Sequence, residues 1–137
     1  MKALKCIVLT SAVAIVALSG LFIEKATAQG GEKYAVTSIA NRTSITINYE
    51  FRWGNGPWEK VSVLPGHTMN HSWKYEFPGQ GVSPVKMIRF DCDLSAKVMT
   101  VTKELLADRS FTRDNGKPYV FEYEDADRDY LVLREGR

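Results

Sequence analysis

The sequence predicts a single all-β domain, an antiparallel β-sandwich of seven to nine short strands, with a small β-barrel as the alternative. Three observations carry that expectation. Apolar residues alternate at Ile45, Ile47, Tyr49, Phe51 and Trp53, with Thr46, Asn48, Glu50 and Arg52 between them, so the segment has one dry and one wet face. Turn-forming residues recur at a spacing of roughly 8–12 residues. No segment sustains a helical apolar period over about ten residues.

The elements follow in order. Residues 34–40 open the domain, and residues 45–53 form the long alternating strand. Gly54-Asn55-Gly56-Pro57 ends it, because glycine and asparagine tolerate the positive φ of a tight turn. Residues 58–64 read as the return strand, closed by Pro65-Gly66. Residues 67–77 read as the next, with Met69, His71, Trp73 and Tyr75 in phase, before a Pro/Gly-rich loop over 78–84. Strands follow at 85–92 and 97–103. Residues 103–107 read either as a helical turn or as the end of a strand. A turn at 114–118 precedes strands at 119–123 and 130–134.

The domain is preceded by an address. Lys2 and Lys5 lead into an apolar run beginning at Ile7, and Ala26-Thr27-Ala28 supplies a small-x-small cleavage pattern. This predicts a signal peptide over 1–28, a mature domain over 29–137, and a periplasmic or secreted protein with no membrane span after cleavage. The alternative is an uncleaved N-terminal membrane anchor, for which the stretch from Ile7 to Ile23, interrupted by Thr10, Ser11, Ser19 and Gly20, is marginally long. The mature segment carries equal numbers of acidic and basic residues. That balance argues against general binding to nucleic acid or anionic membranes, which requires a basic excess. Cys92 is its only cysteine, so an internal disulfide is excluded and the core must hold the fold together.

Several clusters are candidates for chemistry. Half of the mature segment's aromatic residues fall between Tyr49 and Phe77, and Trp53 and Trp58 flank one turn, where they could form a ligand-binding platform. In-phase aromatics are equally the material of a sandwich core. His67, Met69 and His71 share one face of a strand in a pattern that suits copper, although a core face with His67 at its mouth explains them too. Asp125, Asp127 and Asp129 copy the opening of a calcium loop, but Tyr130 and Gly136 stand where glycine and a bidentate glutamate are needed. The bland reading of these acids is a solvated hairpin tip that discourages edge pairing. Cys92 alternates with Ile88 and Phe90, which places it in the core rather than beside a base. Asn41-Arg42-Thr43 and Asn70-His71-Ser72 fit the N-glycosylation pattern. The sequence contains no P-loop, GxGxxG, CxxC, HExxH or GxSxG motif.

The set Asn41-Arg42-Thr43, Ile45-x-Ile47-x-Tyr49, Arg52-Trp53, Trp58 and Leu64-Pro65-Gly66 resembles small exported β-sandwich proteins of bacteria, of the planctomycete kind. The resemblance covers roughly residues 36–75. It implies a bacterial exported setting and no activity, cofactor or catalytic residue. The expectation is therefore a non-enzymatic, cofactor-free exported module that binds another protein or belongs to an envelope assembly. A carbohydrate-binding module using Trp53 and Trp58 is one alternative. A small hydrolase or metal-dependent enzyme is the other, and it needs His67 or His71 to converge with Asp91, Asp93 or another acid in a cleft.

Overall fold

The computed structural model describes residues 31–95 and 98–137. The expected signal peptide at 1–28 and the expected strand start at residue 97 lie outside the described residues. Nine strands are described: β1 (Tyr34–Asn41), β2 (Ile47–Trp53), β3 (Glu59–Val63), β4 (Thr68–Lys74), β5 (Lys86–Asp91), β6 (Thr100–Leu105), β7 (Asp108–Ser110), β8 (Lys117–Tyr123) and β9 (Leu131–Glu135). They form two sheets, and no helix occurs among the described residues. The first sheet has the order β4-β1-β8-β9, with β7 also paired to β1; the second has the order β3-β2-β5-β6. Neither closes into a barrel, so the sandwich rather than its alternative is the architecture.

All pairings are antiparallel except β1 with β8, which is parallel, Thr37 lying opposite Lys117. Parallel neighbours cannot be joined by a hairpin. Here the chain completes the entire second sheet between them. The segment at 103–107 is the end of β6 rather than a helical turn. Strand β7 escapes any alternation test because it is three polar or charged residues long. Backbone pairing with Tyr34–Val36 holds it, together with the bond from the Lys33 amide to the Ser110 carbonyl.

Alternation along β2 turns Ile47, Tyr49 and Phe51 inward, where they meet Ile88 and Phe90 of β5 and, from the first sheet, Ile39, Phe121, Leu131 and Leu133. Phe121 ties the sheets together, its ring centre 5.5 Å from that of Tyr49 and 5.1 Å from that of Phe90. Cys92 is a free thiol buried in this core. The turns follow their composition: Gly54 and Gly66 both adopt positive φ, at 55° and 75°. Leu64-Pro65-Gly66-His67 closes with the His67 amide donating to the Leu64 carbonyl, the sequence signature of a type II turn.

One glycine is required for a different reason. A Cβ on Gly116 would stand 2.5 Å from the backbone carbon of Val36 and 2.6 Å from its Cγ1. Backbone cannot retreat as a flexible side chain can, so Gly116→Ala is expected to destabilise the domain by about 1–3 kcal/mol. Chemical denaturation should show the midpoint falling with the denaturant slope unchanged.

Candidate functional site

Two regions of the sandwich carry polar chemistry. The first is internal. Lys86 begins β5 in phase with Ile88 and Phe90, so its side chain enters the sandwich, where it is 1% exposed. Its ammonium nitrogen bonds the Thr37 hydroxyl of the facing sheet and lies 4.9 Å from the centre of the Phe51 ring and 5.2 Å from that of Trp53. Burial drives its pKa from 10.5 down to about 6, so at neutral pH the amine is mainly uncharged. Nearby, His71 of β4 stacks on Phe51 with ring centres 4.0 Å apart, and its Nε2 is hydrogen-bonded to the Tyr49 hydroxyl at 2.6 Å. Burial first, and the Lys86 charge second, lower the His71 pKa from 6.5 to about 3. Burial also pushes the Tyr49 phenol above its ordinary range. The group is thus a set of neutral hydrogen-bonding side chains joining the two sheets.

This arrangement decides the sequence candidates on β4. His67 is exposed ahead of the strand, Met69 is half-buried against the core, and the Nε2 of His71 is occupied by Tyr49. The structure does not assemble the three into a ligand set. Asp91 bonds the amides of Asp93 and Met99 in the loop after β5, and Asp93 accepts from Ser95. Of the acids named for the hydrolase alternative, Asp91 and Asp93 thus make their hydrogen bonds within the loop after β5. Among the described residues no group of three or more His, Cys, Asp or Glu side chains is placed to hold a metal ion. Asp125 caps the Arg128 amide in the exposed turn before β9, where Asp127 and Asp129 are also exposed.

The second region is the outer face of the β3-β2-β5-β6 sheet. Strand alternation sends Asn48, Glu50 and Arg52 of β2 outward together with Arg89 of β5 and with Lys60 and Ser62 of β3. Pairing sets Glu50 between Lys60 and Arg89. Arg89 Nε donates to Glu50, and this bond first, with the charges of Arg89 and Lys60, keeps the Glu50 carboxyl below its ordinary range. Ser62 donates to Asn48 across the β2–β3 pair. Asn48, Glu50, Lys60, Ser62 and Arg89 border a groove of about 480 Å³ that reaches Asp91 and Thr100.

At one end of this face the half-buried Trp58 meets two guanidinium groups, Arg52 at 4.7 Å and Arg89 at 4.1 Å from the ring centre. Trp53 belongs to the other face: it is packed against the core beside Lys86. The two tryptophans therefore do not make one platform, because Trp53 ends β2 in the inward phase while Trp58 joins the outward-facing arginines. Neither Lys86 nor the Arg52–Trp58–Arg89 group was singled out from the sequence. The phase of Lys86 with Ile88, Phe90 and Cys92 was a usable signal for the first. The second depends on pairing β2 with β5, which the local sequence does not encode. The chain matches no family model, no curated protein and no solved structure.

Proposed function

We propose that this protein is an exported, non-enzymatic protein-binding module whose contact surface is the outer face of the β3-β2-β5-β6 sheet. The observation that carries the reading is Trp58 held against the Arg52 and Arg89 guanidiniums beside a groove of about 480 Å³. Tryptophan and arginine are the residues that dominate binding energy at protein interfaces, and here Arg52 and Arg89, on paired strands, meet Trp58 just before β3. The basic and apolar N-terminal stretch with its Ala26-Thr27-Ala28 pattern supports export. The guanidiniums over Trp58 favour a protein partner over the carbohydrate alternative, since a sugar ring stacking on this indole has to displace them.

The test is capture from the native envelope fraction with the protein as its host processes it, alongside a Trp58→Ala variant. Binding is expected to weaken at least about tenfold, equivalent to 1.4 kcal/mol, while the circular dichroism spectrum is retained. A variant that unfolds makes Trp58 a core residue and overturns the assignment of the surface. Equal capture by both proteins overturns it as well, and binding to a glycan array with no protein captured favours the carbohydrate alternative.

A further inference from the structure

We infer that the outer face of the β3-β2-β5-β6 sheet receives the acidic β8–β9 hairpin of a second copy of this chain, an inference that rests on this face being the contact surface. The face offers cations that no carboxylate holds in a direct ion pair. Glu50 pairs with Arg89, but neither Arg52 nor Lys60 lies within ion-pair distance of a carboxylate among the described residues. Arg52 Nε is buried with no hydrogen-bond acceptor. Around Trp58 the charges of Arg52, Lys60 and Arg89 thus outweigh that of Glu50. Glu59 is in phase with Val61 and Val63, away from this face, and Asp91 at the far end of the groove is held by two backbone amides. Glu104 faces outward as well, at the β6 edge with Met87 between it and Arg52, so the positive excess is confined to the Trp58 end of the face.

The hairpin offers the complement. Glu124, Asp125, Asp127 and Asp129 are all exposed in the turn between β8 and β9, and none is in an ion pair among the described residues. The one cation among them, Arg128, has its guanidinium 5.4 Å from the centre of the Tyr123 ring. The tip presents an acidic excess on a narrow, backbone-paired arm.

Geometry makes the contact one between copies. Arg52 and Trp58 lie where β2 ends, alongside the Lys86 end of β5, and Lys86 reaches Thr37 in the first half of β1. The hairpin tip is at the other end and on the other sheet, since the Tyr123 hydroxyl bonds Ser44 just beyond the end of β1. A chain therefore cannot satisfy the basic Trp58 end of its own face with its own tip. Joining the face of one copy to the tip of the next gives a head-to-tail contact, which repeats along an assembly rather than pairing two identical patches. Opposite patches joined this way are screened by salt.

Sedimentation velocity of the purified protein tests the inference. At low salt the mean sedimentation coefficient is expected to rise with concentration, and at roughly 0.5 M salt to return to that of a monomer. A face-reversed variant, Arg52→Glu with Lys60→Glu, and a tip-reversed variant, Asp125→Lys with Asp127→Lys, are each expected to weaken association at least about tenfold. Mixing the two should restore it, because the reversed face of one then matches the reversed tip of the other. A monomer at every concentration in low salt overturns the inference, as does association that survives both reversals. A monomer that still captures a different protein through Trp58 keeps the contact surface and removes the second copy as its occupant.

Discussion

Lys86→Met is expected to stabilise this domain by about 1–3 kcal/mol at pH 7 and to remove most of the rise in its stability between pH 6 and pH 9. In the unfolded chain Lys86 holds its proton up to its ordinary pKa of 10.5, whereas in the folded chain it releases it above about 6. Between those values the unfolded state binds one more proton, so stability increases with pH across the window, and below about 6 the penalty of burial is complete. At pH 7 that penalty is on the order of 4 kcal/mol. The Phe51 and Trp53 rings favour an ammonium group over an amine, but desolvation outweighs them, as the direction of the shift shows. Methionine matches the length of the lysine stem and needs no proton. What the substitution gives up is the bond to the buried Thr37 hydroxyl, a loss of about 1–3 kcal/mol that reduces the net gain.

Thermal melts at several pH values provide the check. The parent should melt progressively higher from pH 6 to pH 9, and Lys86→Met should be nearly flat there. Both proteins should lose stability below about pH 6.5, where the unfolded chain protonates His71 and the folded chain, with a His71 pKa of about 3, does not. A Lys86→Met protein that melts lower at pH 7, or that keeps the parent's slope between pH 6 and pH 9, would contradict the account. Adding Thr37→Val to Lys86→Met should recover stability by removing the orphaned hydroxyl.

How much of this was legible beforehand varies with the range of the interaction. The alternation from Ile47 to Trp53 reports burial one residue at a time, so β2 and its wet face could be read directly, although Ile45, in the same phase, is exposed and lies outside the strand. Glycine and proline punctuation placed the turns for the same local reason. The site could not be read that way. Arg52 and Arg89 both reach Trp58 only because β2 pairs with β5, bringing Arg52 opposite Met87 and Glu50 opposite Arg89. Nothing within either segment specifies that pairing, just as nothing near Tyr34 announces the parallel partner at β8. Lys86 is an intermediate case. Its phase pointed inward, yet a lysine at the first position of a strand is ordinarily free to reach solvent. Here β1 and the β2 aromatics close over it. The two tryptophans were misleading because proximity in sequence across a turn implied a shared surface, and the phase change between β2 and the start of β3 separated them.

Asn41→Ala is expected to cost the domain about 3–4 kcal/mol, the largest loss foreseen for any single side chain described above. Asn41 ends β1 and is 1% exposed. Its Nδ2 donates to the Ile45 carbonyl at 2.7 Å and the Val63 carbonyl at 3.0 Å. Its Oδ1 accepts from the Thr43 amide at 2.8 Å and the Thr43 hydroxyl at 2.7 Å. One amide thus organises the turn by which the chain leaves the first sheet for the second, and joins it to the end of β3. Truncation takes this partner from the Val63 carbonyl and the Thr43 amide, while the Thr43 hydroxyl and the Ile45 carbonyl keep their bond to each other at 3.1 Å, so the loss exceeds that of a typical hydrogen bond. Asn41→Asp keeps the shape and both acceptor contacts, but replaces a donor to two carbonyls with a buried charge; it should be at least as destabilising at pH 7 and recover partly as the carboxyl protonates in acid. The same geometry corrects what the Asn41-Arg42-Thr43 pattern suggests, because an Nδ2 buried between two carbonyls cannot carry a glycan in the folded domain. Asn70, in the other matching tripeptide, is exposed on β4. Denaturant unfolding of the two variants measures the losses, and a midpoint for Asn41→Ala within about 1 kcal/mol of the parent would show that solvent, rather than Asn41, satisfies the turn.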